Sequence, residues 1–324
     1  MASRRYAIIG VGAMGGYYGG LLARAGIETH FLLHSDYEHV KEHGLTVESP
    51  TGNFQLPKVH AWNDPGAMPP CEVVVVALKT TQNAVLGQIL PKLVRPGGCV
   101  LLLQNGLGVE DDLARIVPSQ AIVGGVCFLC SNKVGPGHIR HLDYGDIAIA
   151  EYDPADRPRG ITERLRQIAT DFARAGIKVE PVNDLGLMRW KKLVWNIPYN
   201  GLSVALDATT AALMADTDSR ALVAALMEEV VAGAGACGHT IPPEFIRLQM
   251  DRTARMTPYR TSMKIDFDSG RPMELQAIFA NPLARAARHG QTMPRVEMLY
   301  QTLAFLQRRR PGNEVQNPKC KVQS

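Results

Sequence analysis

A chain of 324 residues, 46% hydrophobic and 20% charged, has the make-up of a globular protein of two domains. Its formal net charge of +4 suits an anionic small-molecule ligand and argues against a nucleic-acid surface. No apolar run reaches the length of a membrane span, and Met1 to Arg5 lead into a strand with no room for a signal peptide. Six scattered cysteines fit a reducing, cytoplasmic setting rather than a disulfide framework.

Residues 4–9 read as a buried strand, and an apolar helix runs to about Ala25. Between them stands Gly10-Val11-Gly12-Ala13-Met14-Gly15, a G-x-G-x-x-G in the strand-turn-helix context that gives the motif meaning. Gly10 permits the tight turn, Gly12 lets a pyrophosphate approach the backbone, and Gly15 lets the helix pack on the strand. The backbone of these six residues is therefore the expected dinucleotide cradle, with the helix N-terminus attracting the phosphates.

Residues 28–33 form the second strand, whose end distinguishes the two nicotinamide cofactors. A site for NAD carries an acidic residue there for the ribose 2′-hydroxyl. This chain has His34 and Ser35, both able to donate to a 2′-phosphate, and Asp36 is expected to lie beyond the strand and cap the next helix. The expected cofactor is NADPH.

Residues 45–59 alternate around Gly52-Asn53 as a hairpin. The run 73–77 and the strand 99–103 are continuously apolar, as central parallel strands are. Lys79 and Asn105 follow these strands, where ligands of open α/β sheets bind, although a surface lysine and a turn asparagine would read the same way. Cys127 and Cys130 share a strand and should face opposite sides, so neither a redox pair nor a metal site is expected. Residues 138–150 alternate around Gly145-Asp146 as a second hairpin, with His138 and His141 structural.

An amphipathic helix at 160–175 and an edge strand at 178–181 close the α/β pattern near Val182. The first domain is thus 1–182 and the second 183–310, with a polar, disordered tail at 311–324. The second domain is helical, with segments at 186–200, 217–237, 243–256, 273–289 and 294–309. In the first of these, Trp190, Leu193, Val194, Ile197 and Gly201 share an apolar face. Lys192, Asn196 and Asn200 form a polar stripe beside it. Such a stripe is costly unless it meets a partner, and a carbonyl substrate with a carboxylate would be one. The competing reading is a snorkelling lysine with two capping amides. Pro198 should kink this helix near Val194. Pro272 can start a later helix and put Glu274 in its first turn, where the dipole favours a carboxylate.

Five motifs, GVGAMGGYYG, LKTTQ, LQNGLG, WKKLVWN, and TSM followed by Glu274 within RPMELQAI, give the chain to about Arg310 a resemblance to the ketopantoate reductases (2-dehydropantoate 2-reductases). The resemblance implies a Rossmann-type dinucleotide-binding domain followed by an all-helical C-terminal domain, with the active site between them. It implies NADPH-dependent reduction of ketopantoate to pantoate on the way to pantothenate and coenzyme A. By position, Lys192 corresponds to the catalytic lysine and Glu274 to the partner glutamate. Asn196, Asn200 and Ser262 correspond to substrate-binding positions, and Lys79 and Asn105 to residues lining the cofactor and substrate site. The chain departs from the family in having His34 where an arginine often holds the 2′-phosphate. Two other readings compete: a reductase of a related 2-oxo acid, and an NADP(H)-binding regulator without turnover. The apolar helical faces serve a monomer core or a homodimer interface equally well.

Overall fold

The computed structural model describes residues 4–256 and 260–309; the predicted tail lies outside them. The chain divides into two compact units, residues 1–189 and 190–324.

The first unit is built on one sheet. Its strands are β1 (Tyr6–Ile9), β2 (Thr29–Leu32), β3 (Leu45–Glu48), β4 (Phe54–Leu56), β5 (His60–Trp62), β6 (Cys71–Val76), β7 (Val94–Leu102), β8 (Ile122–Gly135), β9 (His138–Glu151) and β10 (Val179–Pro181). Helices α1 (Ala13–Arg24), α2 (Tyr37–His43), α3 (Leu86–Leu93), α4 (Val109–Leu113) and α5 (Glu163–Arg174) connect them. The strand order is β4-β3-β9-β8-β7-β6-β1-β2-β5, with β10 beside β9. β1 pairs in parallel with β2 and β6, and β7 in parallel with β6 and β8. The valines of β6 and the apolar end of β7 are buried, as the continuous apolar runs require. Because β1, β6 and β7 point the same way, the loops that follow them open at one sheet edge.

Strands β3 and β4 form the hairpin expected around Gly52-Asn53. The second expected hairpin is corrected: β9 is one strand through Gly145-Asp146, and it pairs antiparallel with β8. The β8–β9 turn lies at Pro136-Gly137 instead. Gly145 is an extra residue between the pairs Phe128↔Asp146 and Leu129↔Tyr144. A bulge glycine therefore imitated a turn. The irregularities carry the far end of this ribbon to β3, which pairs with β9, and across α1.

Helix α1 is consequently packed on two sides, and its Gly15-Gly16-Tyr17-Tyr18-Gly19-Gly20 run is shaped for that. Gly15 and Gly19 abut Ile8, and Gly19 also meets Phe31; Gly16 abuts Ile139, while Gly20 faces Val47 and Phe54. Two glycine pairs at i, i+4 give two flat faces roughly 100° apart. A Cβ on Gly19 would lie 2.7 Å from the Phe31 ring. Gly19→Ala should therefore lower unfolding free energy by about 1–3 kcal/mol in a urea titration, the usual cost of overpacking; a neutral result would mean that β1 and β2 yield freely. On the same face of the sheet as α1, α5 is tied down by Asp171, which accepts from the Tyr6 hydroxyl at 2.7 Å and from Arg4 Nε at 2.7 Å.

The second unit is helical. Helix α6 (Leu185–Ala205) starts in the first unit and continues unbroken through Pro198. It is followed by α7 (Thr210–Ala215), α8 (Thr217–Ala236), α9 (Glu244–Arg255), α10 (Ser262–Asp268), α11 (Asn281–Arg288) and α12 (Pro294–Arg308). The sequence reading missed α7 and α10, six and seven residues long. Both are marked by threonine caps: Thr209 accepts from Ala212 N, and Thr261 from Lys264 N. Glu229 of α8 caps α12 across space, accepting from the backbone of Arg295 and Val296. Pro272 does not start a helix. Helical backbone begins at Leu275 and passes into a π-helical turn, Gln276–Ala280, that leads into α11.

Candidate active site

The glycine turn has the geometry its spacing predicts. Gly10 has φ +90°, and a Cβ there would lie 2.6 Å from Leu78 N, so the turn needs glycine both for conformation and for its approach to the loop after β6. A Cβ on Gly15 would lie 2.2 Å from the Gly10 carbonyl oxygen. Gly12 is different: a Cβ there would meet nothing within 4 Å. It stands at the N-cap of α1 without a side-chain cap, and Val11, Ala13 and Met14 are only partly covered. Open space beside an uncapped helix N-terminus fits a pyrophosphate, whose oxygens would take the orphan amides.

His34 and Ser35 lie exposed in the turn after β2. Asp36 does occupy the N-cap position of α2, but it makes no side-chain cap, which corrects the expected role. Its carboxylate is buried and accepts from Gly137 N at 3.0 Å, Lys133 Nζ at 2.6 Å and Ser35 Oγ at 3.1 Å. Burial alone would raise this carboxyl. The lysine, the backbone N–H and the serine overcome it and hold the group below the ordinary aspartate range.

Lys79 and Asn105, both half-buried, sit in the loops after β6 and β7, at the same sheet edge as Gly10. Gln104, which sequence reasoning passed over, joins those loops: its Nε2 donates to Leu78 O at 2.8 Å and to Asn83 Oδ1 at 2.6 Å. Behind it lies a buried ion pair that was also missed. Arg189, in the first turns of α6, donates from Nε to Glu110 Oε1 at 3.0 Å and through Nη1 and Nη2 to the carbonyls of Gln104 and Leu102. One guanidinium thus fixes the end of β7, the Asn105 loop and α4. The available signal was an arginine four residues before Leu193, on the buried side of its helix.

In the second unit α6 presents the expected stripe. Asn196 and Asn200 are buried, Lys192 is half-buried with Nζ 5.4 Å from the Trp195 ring centre, and Lys191 points elsewhere, 5.8 Å from the Phe245 ring. Trp195 is itself fixed by Nε1 donating to Thr253 Oγ1 at 3.0 Å. Asn200 Oδ1 is buried with no hydrogen-bond partner among the described residues, a costly state that a ligand donor would relieve. The backbone of Asn200 is tied to α10: Ser203 Oγ donates to Asn200 O at 3.0 Å and lies 2.7 Å from Thr261 Oγ1. Ser262 is the first residue of that helix. Glu274, buried, immediately precedes the π-helical turn, and its carbonyl accepts from Ile278 N at 3.1 Å. Phe279 of that turn packs beside Gly201 of α6. The second unit therefore gathers Asn200, Ser262 and the Glu274 segment around the C-terminal half of α6.

Elsewhere, Cys127 belongs to the core cluster beneath α1, and Cys130, on the other face of β8, does not; neither is in a disulfide. His141 stacks on Tyr17 with ring centres 4.3 Å apart, and its Nδ1 lies 2.8 Å from Ser49 Oγ. His138 Nε2 lies 2.8 Å from Glu48. No described helix is long and apolar enough to cross a membrane.

Residues 6–154 match the family described as Ketopantoate reductase PanE/ApbA, and residues 184–307 match its C-terminal domain. The chain belongs to the ketopantoate reductase family. A 2-dehydropantoate 2-reductase from Nostoc sp. is 57% identical over 306 residues, covering 94% of this chain and 96% of the relative. The crystal structure of 2-dehydropantoate 2-reductase from Geobacter metallireducens GS-15 is 44% identical, with a TM-score of 0.89, covering 93% of this chain and 99% of that one. A ternary structure of D-mandelate dehydrogenase with NADH and anilino(oxo)acetate is 21% identical at a TM-score of 0.84, covering 94% and 98%. At that distance the likeness is of fold, so the ketopantoate reductase architecture is shared with a protein solved with the other nicotinamide cofactor.

Proposed function

We propose that this ketopantoate reductase family member reduces 2-dehydropantoate to pantoate with NADPH. The observation that carries the reading is the 57% identity, over nearly the whole length of both chains, to a 2-dehydropantoate 2-reductase. The open turn at Gly12 and the unsatisfied Asn200 Oδ1 support it independently.

When bound, the cofactor supplies the hydride that the ketone carbon accepts. The backbone of Gly10, Val11, Gly12, Ala13, Met14 and Gly15 would hold its pyrophosphate, and Lys79 and Asn105 would line the nicotinamide end. The protein's own task is the oxygen of the ketone, which gains negative charge as the carbonyl is reduced. The Lys192 ammonium stabilises that charge and delivers a proton from Nζ to the same oxygen, which becomes the new hydroxyl. The Glu274 carboxylate would accept from the substrate hydroxyl, while Asn196, Asn200 and Ser262 would orient the rest of the 2-oxo acid.

The same reading places the enzyme in the cytoplasm, where a reducing milieu suits described cysteines that are thiols rather than disulfides. It takes a homodimer as the assembly that sedimentation would test. A panel of 2-oxo acids, including ketopantoate and an aryl 2-oxo acid, scored by NADPH absorbance loss, tests the activity. Highest kcat/KM on ketopantoate is expected. A clear preference for another 2-oxo acid would move the substrate assignment while keeping the chemistry. Tight NADPH binding without turnover of any acid would leave a silent NADP(H)-binding protein.

A further inference from the structure

The turn after β2 is where a 2′-phosphate is told from a 2′-hydroxyl, and this chain has neither the acidic residue of an NAD site nor an arginine there. It has His34 and Ser35, exposed, followed by the buried Asp36. The carboxylate of Asp36 is turned inward and committed to Gly137 N and Lys133 Nζ. With its side chain only 8% exposed, it offers little surface to a ribose hydroxyl.

Lys133 comes from β8, 97 residues further along the chain. Two residues earlier on the same face of that strand, Ser131 Oγ donates to Ala13 O at 3.3 Å, in the first turn of α1. One strand thus reaches both the first turn of α1 and the turn after β2. Lys133 is 34% exposed, with one side of its ammonium 2.6 Å from Asp36. Asp36 also receives Ser35 Oγ at 3.1 Å, so the serine hydroxyl and the lysine ammonium are held by the same carboxylate. An ammonium has three donors. Asp36 fixes its position without taking up all three, and the side chain remains partly exposed.

We propose that Lys133, held in place by Asp36, is the cation that recognises the 2′-phosphate of NADPH, supplying from β8 the charge that other members place at the position of His34. His34 completes the site as a second donor, while Ser35, whose one hydroxyl proton goes to Asp36, helps to fix the carboxylate. Lys133 is a specificity-determining residue rather than a catalytic one, because it acts only on the cofactor's remote phosphate. Asp36 is its positioning residue.

The proposal rests on NADPH being the cofactor, and binding measurements separate the two. Dissociation constants for NADPH, NADH, 2′,5′-ADP and 5′-AMP would be measured calorimetrically on the full chain and on Lys133→Gln and Lys133→Arg. Lys133→Gln should weaken NADPH and 2′,5′-ADP by about 10-fold or more, the scale of a lost charge-assisted hydrogen bond. It should leave NADH and 5′-AMP unchanged, and Lys133→Arg should retain the preference. Equal weakening of phosphorylated and unphosphorylated ligands would assign Lys133 a structural role and overturn the proposal, as would no change in any of them. If the unmodified chain itself bound NADPH no better than NADH, the cofactor reading would fail before Lys133 was tested.

Discussion

Lys192→Ala is expected to lower kcat by on the order of 10²-fold or more, because general-acid and electrostatic contributions of that size are typical where charge develops on an oxygen. The lysine lies half-buried on the polar stripe of α6, beside Trp195 and one turn before the buried Asn196. Lys191 is the internal control. It is turned about 100° around the helix and rests near Phe245, so Lys191→Ala should be nearly silent. Glu274→Ala should raise KM as well as lower kcat, the result expected of a carboxylate proposed to act partly in ground-state binding. Steady-state kinetics on the three variants decide the matter. A crippled Lys191→Ala beside an active Lys192→Ala would show that the wrong side of α6 had been assigned to the substrate.

The largest expected loss of stability is at Arg189. Arg189→Met would leave Glu110 as a buried charge and strip donors from the carbonyls of Leu102 and Gln104. Removing one member of a buried ion pair costs about 3–5 kcal/mol, read as a fall in the urea midpoint. Combining it with Glu110→Leu should recover part of that loss, because the second substitution removes the orphaned charge. Strict additivity of the two single effects would mean that the pair is not coupled. The same guanidinium holds the loop carrying Asn105, so Arg189→Met should also raise KM in whatever fraction remains folded.

What could be read from the sequence was local. The strand–Gly10–α1 unit, the valine run of β6 and the 3.6-residue periodicity of α6 each carry their pattern within a short window, and the fold follows them. The Lys192-Asn196-Asn200 stripe was visible for the same reason. What escaped depends on partners far along the chain. Asp36 resembled a helix cap because nothing near it in sequence is Lys133. Glu110 drew no reading because its partner, Arg189, is 79 residues away. Gly145 imitated a turn because a bulge and a hairpin use the same residue for different geometry. The short helices α7 and α10 lacked enough turns to show a period, although their threonine caps were in plain sight.

Four glycines among the twelve residues of α1 have a consequence for how this protein is assembled. Each weakens an isolated helix by about 1 kcal/mol relative to alanine, so the segment has little tendency to coil on its own. Its helicity is conferred by the two surfaces that close on it: β1 and β2 on one side, and the β3–β4–β9 layer on the other. The second of these is completed by residues more than a hundred positions downstream. During synthesis the amides at its start, the proposed phosphate cradle, are therefore expected to order only once β9 has emerged and folded back. A truncated or partly folded chain would expose Tyr17 and Tyr18 and offer no cradle to a dinucleotide, so cofactor capture becomes a late event that reports completion of the whole α/β layer.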